Sequence, residues 1–588
     1  MSKPIESYAL IGDGEAAAFV ARDGSIDWLC WPRFDSDACF SALLGTQENG
    51  RWSIAPCQAV TASERRYRGD TLILETLLRT ESGAIRLTDF MPIRGARASL
   101  VRIVEGLSGS HELAFDLSPR FDYGELPPWW ETRESGAVAI VGPHRLTLHS
   151  PVPLTVEGGS VTGTVAVSEG RRLAFVLIHG EAWEPDAPAC DVDAALLATQ
   201  AHWEGWIGRF DASRTRWPAA VKRSLLTLKA MTHTRTGGLI AAPTASLPEV
   251  PAGGMNWDYR YSWLRDSTFT LGAFLNAGFD GEAVAWRDWL LRSVAGRPEA
   301  LRIMYRVDGS RHLSEWMADA LPGYREARPV RIGNAASTQE QLDVYGEVLD
   351  TLALARRAGI AATEHQRTVE RRIVEHLECV WPDRDAGIWE SRGDPKKYTY
   401  SKVMCWVGFD RALRHSELPE HARFKLESLR NHVHDEICRE GWNAGLDTFT
   451  QSYGSHDLDA SLLLLPLVGF LPADEPRMAS TIARIADDLN QEGLIRRMRA
   501  RGDGSDEGAF LPCSLWMADC LRLQGRRDEA EGYLERVLGV ANDVGLLSEE
   551  YDVPGKGLAG NFPQALTHLG VVNTALGLCG PVLDRGGG

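Results

Sequence analysis

The stretch VKRSLLTLKAMTH, residues 221–233, is where the chain changes period. Its apolar residues recur at three- and four-residue spacing, which is one face of an α-helix. Upstream of it the pattern is short and strand-like. Residues 9–31 (ALIGDGEAAAFVARDGSIDWLCW), 71–93 (TLILETLLRTESGAIRLTDFMPI), 144–159 (HRLTLHSPVPLTVEGG) and 171–180 (RRLAFVLIHG) are β-rich runs broken by Gly, Ser and Asp. Many strands in succession without intervening helices imply an antiparallel β-sandwich, here over residues 1–210.

Downstream, over residues 211–588, about twelve amphipathic helices follow, among them YRYSWLRDSTFTLGAFLNAG (259–278) and TQEQLDVYGEVLDTLALARRAG (338–359). Their connections alternate. Short turns such as NAGFDGE, AGIAATE, LPADEP and GRRDE join the two helices of a pair. Longer loops come before every second helix: PAGGMNWD, RIGNAAS, GIWESRGDPKK, QSYGSHDLD, RGDGSDEG and LLSEEYDVPGKGLAGN. If the helices run alternately up and down, all six long loops lie at one end. Six helical hairpins closing on themselves make an (α/α)6 barrel, and polar loops gathered on a rigid scaffold make a site.

Composition narrows the partners. With 588 residues the chain is too long for one ordinary core. A net charge of -17, with no Lys/Arg block, argues against nucleic acid and anionic membranes and favours a neutral ligand. No run approaches ~18 apolar residues, so no transmembrane helix is expected. The ten Cys are scattered singly without a CxxC pair, which fits a reducing compartment and offers no zinc spacing. The start MSKPIESYALIGDG has no apolar core of a signal peptide, so the expectation is a cytoplasmic protein. Oligomeric state stays open, a homo-oligomer included. The 19 Trp are mostly core, with some free to stack on sugar rings.

Four loops carry the chemistry. GIWESRG sets Glu390 directly after Trp389; GSDEGAF sets Asp506 and Glu507 between glycines; LLSEEYD sets Glu549 and Glu550 side by side; and WDYRYSWLRD sets Arg265 and Asp266 among aromatics that include Tyr261 and Trp263. Glycoside hydrolysis needs two carboxyl groups, one to protonate the leaving oxygen and one to activate water or attack the sugar. An Arg–Asp pair can grip hydroxyls, and burial beside Trp keeps an acid protonated. Any one loop acid alone is more often simply solvated; it is their convergence on one barrel mouth that points to a site. His432 and His434 are two apart and do not share a helix face. DRDAGIWE lacks the Gly of a calcium loop, and no GxGxxG or P-loop occurs. Neither a metal nor a cofactor is expected. His456, Asp457 and Asp459 either line the funnel or cap the next helix, and His568 reads as a satisfied core histidine.

The pieces YALIGDG, ARDGSIDWLCWPRFDS, NWDYRYSWLRDS, YRVDGS, QLDVYGEV, GIWESRG, YTYSKVMCW, DEGAF, LLSEEYD and GNFPQALTHLG, spread almost end to end, resemble glycoside hydrolase family 15. That family includes glucoamylases, glucodextranases and one class of microbial trehalases, and the trehalases are the nearest in kind. The resemblance implies a β-sandwich, an (α/α)6 catalytic barrel and inversion at the anomeric carbon. It implies Glu390 as general acid and Glu549 as general base, with Glu550 a supporting neighbour. It implies Trp263, Arg265, Asp266, Tyr261, Trp389 and Glu507 as sugar-binding residues, and a small neutral oligosaccharide as substrate. Trehalose comes first, isomaltose or malto-oligosaccharides second. A sugar-binding toroid without turnover would make both acids replaceable; an epimerase would want His pairs and a terpene cyclase an Asp-rich cluster.

Overall fold

The computed structural model describes residues 2–251, 253–415, 419–500 and 506–583. Up to Glu181 the chain builds two antiparallel sheets of eight strands each. One runs Tyr8–Gly12, Ala17–Ala21, Ile26–Cys30, Arg51–Pro56, Ser110–Ser118, Ser160–Ser168, Thr155–Glu157, with Ala38–Phe40 added on Ile26–Cys30. The other is built around Arg172–Glu181, which lies between His144–His149 and Ser99–Ser108. Their inner faces meet: the Phe115 and Phe175 rings, one from each sheet, lie 5.1 Å apart. Alternation does the sorting. Along Ser110–Ser118, His111, Leu113, Phe115 and Leu117 are buried and the residues between them face outward or are half-buried.

A helix, Val192–Ile207, then leads toward the barrel. The strand-like pattern of residues 1–210 does not anticipate it. The helix has a clear start signal, since Asp191 accepts from the amides of Asp193 and Ala194. Its Trp206 stacks on Phe279 of the barrel, ring to ring at 4.2 Å.

The helical part is the anticipated double ring. The inner helices Ser267–Asn276, Asp343–Arg357, Thr399–His415, Leu464–Leu467, Leu511–Leu523 and Ala565–Cys579 touch in a closed circle, and the outer ones pack behind them. Burial separates the rings. From Thr399 to Leu413 every residue of an inner helix is buried. The outer helix Glu364–Val380 buries only a stripe through Val369, Ile373 and Leu377. The fourth inner element is short, a 3-10 turn at Ala460–Leu463 continued by Leu464–Leu467, and it contains Pro466, which cannot donate a helical hydrogen bond. Close packing needs glycine at one crossing: a Cβ on Gly346 would lie 2.1 Å from the Met404 carbonyl of the next inner helix. All six long loops precede inner helices and so share one end.

Candidate active site

Those loops enclose a cavity of about 300 Å³, lined among others by Trp257, Tyr259, Arg265, Trp389, Glu390, Arg497, Glu507 and Glu549. Four carboxyls line it, Glu249, Glu390, Glu507 and Glu549, and of these Glu390 and Glu549 come from different loops and do not pair with Arg497.

Glu390 ends the turn Gly387–Glu390 and adopts a left-handed φ of 56°. Few side chains take that conformation without surroundings that hold it, and it recurs at functional positions. Its Oε1 accepts from Trp263 Nε1 at 2.7 Å and from Arg265 Nη1 at 3.2 Å. Arg265 Nη1 also donates to the Ile388 carbonyl at 2.8 Å, which locks the guanidinium against the same turn. Burial pushes the Glu390 carboxyl above its usual range, and Arg265 and the Trp263 hydrogen bond only partly oppose this.

Glu549 lies just before a three-stranded ribbon of Ala509–Phe510, Glu550–Asp552 and Gly557–Ala559. In extended chain, neighbouring side chains point to opposite faces. Glu549 therefore turns into the cavity and Glu550 away from it. Glu549 Oε1 accepts from Tyr259 OH at 2.7 Å and Oε2 from the Asn561 amide at 3.3 Å. Gly560 makes room: with φ +70°, it would bring a Cβ to 2.6 Å from Glu549 Oε2. Burial, followed by the charge of Glu249, pushes Glu549 up to about 8, while Arg497 and Tyr259 pull it down.

Glu550 is a wall. It is fully buried, its Oε1 held by Arg497 Nη2 at 3.1 Å and its Oε2 by the Gly508 amide at 2.9 Å. Arg497 Nη2 also pairs with Glu249 and Glu507, and its guanidinium lies 5.5 Å over the Trp389 ring and 5.0 Å over Phe510. Glu249, Glu507 and Glu550 come close enough together to hold a cation. Arg497 is that cation. Glu249 Oε1 is buried and has no hydrogen-bond partner among the described residues.

The remaining sequence candidates divide. Arg265, Trp389 and Glu507 line the cavity. Trp389 is fixed from behind by Asp459, whose carboxylate oxygens accept from its Nε1 at 2.9 and 3.0 Å. Asp459 also caps the next helix through the Ser461 amide, so it caps as read and supports Trp389 from behind without lining the cavity; His456 and Asp457 are exposed. Trp263 and Asp266 sit behind the lining, bonded to Glu390 and to Arg265 Nε respectively. Tyr261 is turned away: it is buried and donates to Asp258 at 3.2 Å. The tyrosine that lines the cavity is Tyr259, with Trp257 beside it. The segment alternates, with Asn256, Asp258 and Arg260 fully buried and Trp257 and Tyr259 half-buried. Glu249 and Arg497, in ASLPEVP and LIRRMRA, carried no local signal. Of the RGDGSDEG loop, residues 501–505 lie outside the described residues. His568 is a core histidine as read: its Nε2 accepts from the Leu547 amide at 3.2 Å and burial drops it to about 3.

Comparison with known proteins agrees with this architecture. The profile of glycosyl hydrolases family 15 matches residues 218–576, and that of the trehalase-like N-terminal domain residues 1–176. The trehalase of Mycobacterium tuberculosis is 35% identical, over 97% of this chain and 89% of the relative. That of Thermoplasma volcanium is 33% identical, over 99% of this chain and 94% of the relative. A bacterial glucoamylase solved in complex with acarbose superposes with a TM-score of 0.74 at 13% identity, covering 98% of this chain and 95% of that one, which is a likeness of fold. With the profile match covering the whole barrel and relatives of this identity end to end, the chain belongs to glycosyl hydrolase family 15 and is a glycoside hydrolase.

Proposed function

We propose that the chain hydrolyses α,α-trehalose with inversion, releasing β-glucose from one half. The observation that carries the reading is the pair of unlike carboxyls, Glu390 and Glu549, facing one small cavity in a chain whose end-to-end relatives are trehalases. In this reading Glu390, kept protonated by burial, gives its proton to the glycosidic oxygen. Glu549 takes a proton from water on the opposite face of the sugar. Arg265, Trp389 and Glu507 hold the glucose, with Asp266 and Trp263 setting Arg265 and Glu390.

A base must enter the reaction unprotonated. Glu249 and Glu550 pair with Arg497 and Glu549 is buried beside them; burial raises all three, so they retain a proton whose titration belongs to the cluster. The donors favour Glu249 as its holder. Both oxygens of Glu549 receive hydrogen bonds, which suits a carboxylate, whereas Glu249 Oε1 receives none. We assign residues 1–210 to the sandwich and 211–588 to the barrel. We place the protein in the cytoplasm, as ten free cysteines suit a reducing compartment. Among the described residues no helix is long and apolar enough to cross a membrane.

The test is proton NMR of the purified protein with trehalose, isomaltose, maltose and soluble starch in parallel, read in the first minutes. With trehalose the leaving half keeps its α configuration, so α- and β-glucose appearing together in equal amounts from the start, and fastest from trehalose, support the reading. β-Glucose from another sugar alone transfers the same mechanism to that substrate. α-Glucose alone at the start, with β-glucose arising only by later mutarotation, would remove Glu549 from the role of base.

A further inference from the structure

Residues 256–265 hold both carboxyls: Tyr259 donates to Glu549, and Trp263 and Arg265 donate to Glu390. The Tyr259 and Trp263 rings also touch, edge to face at 5.2 Å, so the two acids are joined through one segment. In the middle of it is Arg260, whose side chain is fully buried. Its Nε and Nη2 pair with Asp258 at 2.9 and 2.6 Å. Its other donors cross to the sandwich domain: Nη1 to the Ser36 carbonyl at 2.7 Å and Cys30 Sγ at 3.3 Å, Nη2 to Tyr123 OH at 2.8 Å. All five guanidinium donors are thereby used. Asp258 in turn accepts from Tyr261 OH and from the Gly333 amide at 3.0 Å. The backbone on either side of Arg260 carries the side chains that reach the acids. No residue of the two sheets is among those lining the cavity.

We infer that the sandwich domain sets the alignment of the catalytic pair through Arg260, which makes Arg260 and Tyr123 positioning residues of a reaction they do not touch. The Arg260–Asp258 pair is the rigid pivot. Tyr123, Ser36 and Cys30 fix where the pivot stands relative to the barrel. A shift of the sandwich surface would move Tyr259 and Trp263 together and change both acids at once. This rests on the functional reading above, and wild-type turnover tests that reading by itself before any variant is made.

The experiment is steady-state kinetics across pH for Tyr123→Phe, with Arg260→Lys as the stronger change and Asp543→Asn as control. Asp543 pairs with Arg65 across the same two domains but away from residues 256–265. Tyr123→Phe deletes one acceptor and keeps the ring. It is expected to lower kcat about three- to tenfold, with KM within about twofold of wild type, and to shift the pH profile. Arg260→Lys keeps the charge facing Asp258 but cannot reach all five acceptors, and is expected to lose more. Asp543→Asn is expected to lower Tm without moving the profile. If Tyr123→Phe folds, loses only Tm and keeps the wild-type kcat and pH profile, the sandwich merely packs and the inference is overturned. If Arg260→Lys does not fold, Tyr123→Phe decides alone.

Discussion

The two sides of the cavity hold a carboxyl in opposite ways. On one side Glu390 retains 18% side-chain exposure and is gripped by a single cation and an indole N–H, on a turn in left-handed conformation. On the other, Glu549 is 1% exposed and sits beside three further acids that share one arginine. Both arrangements raise the acid, and the causes differ. For Glu390 desolvation leads and the nearest cation opposes it; for Glu549 desolvation is followed by the charge of Glu249. Desolvation leads at both, but at Glu549 the charge of a neighbouring acid adds to it, so the proton there belongs to a cluster and can be moved within it. The first arrangement suits an acid that must keep its proton until the leaving oxygen arrives. The second suits a base that can pass its proton to a neighbour and meet water as a carboxylate.

The comparison breaks most sharply if either acid is removed. Glu390→Gln and Glu549→Gln are each expected to lose about 10²–10⁴-fold in kcat with the fold intact. Glu550→Gln, though adjacent and equally buried, is expected to lose about tenfold or less, because its neighbours are Arg497 and a backbone amide rather than the cavity. Azide separates the two positions. It attacks without needing a proton removed, so it should restore turnover to Glu549→Ala and yield β-glucosyl azide, and do nothing for Glu550→Ala. Rescue at Glu550 instead would exchange their roles.

Smaller changes sharpen the contrast, and they run in opposite directions. Tyr259 lowers Glu549 by donating to it, and Glu249 raises it by charge. Tyr259→Phe should cost about tenfold in kcat and move the rising limb of the kcat/KM–pH profile upward by about one unit. Glu249→Gln should move the same limb downward by a similar amount. Neither should move the falling limb if that limb is Glu390. Limbs moving together in both variants would show that the two sides titrate as one.

What the sequence disclosed follows from which contacts are local. The barrel was legible because helix period and the alternation of short and long connections are local features repeated six times. Glu390 and Glu549 are singled out by the resemblance, whose motifs Trp389–Glu390 and Ser548–Glu549 are contiguous in the chain. Arg497 was invisible because its partners Glu249 and Glu550 lie 248 and 53 residues away. The resemblance points to Tyr261, but Tyr259 lines the cavity, because residues 256–260 alternate between buried Asn256, Asp258 and Arg260 and half-buried Trp257 and Tyr259. Helix Val192–Ile207 lies amid strands with Asp191 as its one local start signal.

The smallest effect is on stability, and its sign is opposite to that on activity. A carboxyl raised on folding keeps its proton in the native state over a range where the unfolded chain has already lost it. For the cluster of which Glu549 is a member, which holds that proton jointly, the range runs from the ordinary carboxylate value to about 8. The native state binds more protons there, so stability falls as pH rises through it, and the penalty is complete above the folded value. Glu549→Gln removes the ionisable group and keeps the shape. It should therefore be more stable than wild type by about 1–3 kcal/mol at pH 8 and no more stable at pH 4. The same substitution in Glu390, which faces a cation, should gain less. Urea denaturation at the two pH values checks both. Equal gains for the two variants would mean that desolvation alone raises both acids, and that the cluster around Arg497 adds nothing to Glu549.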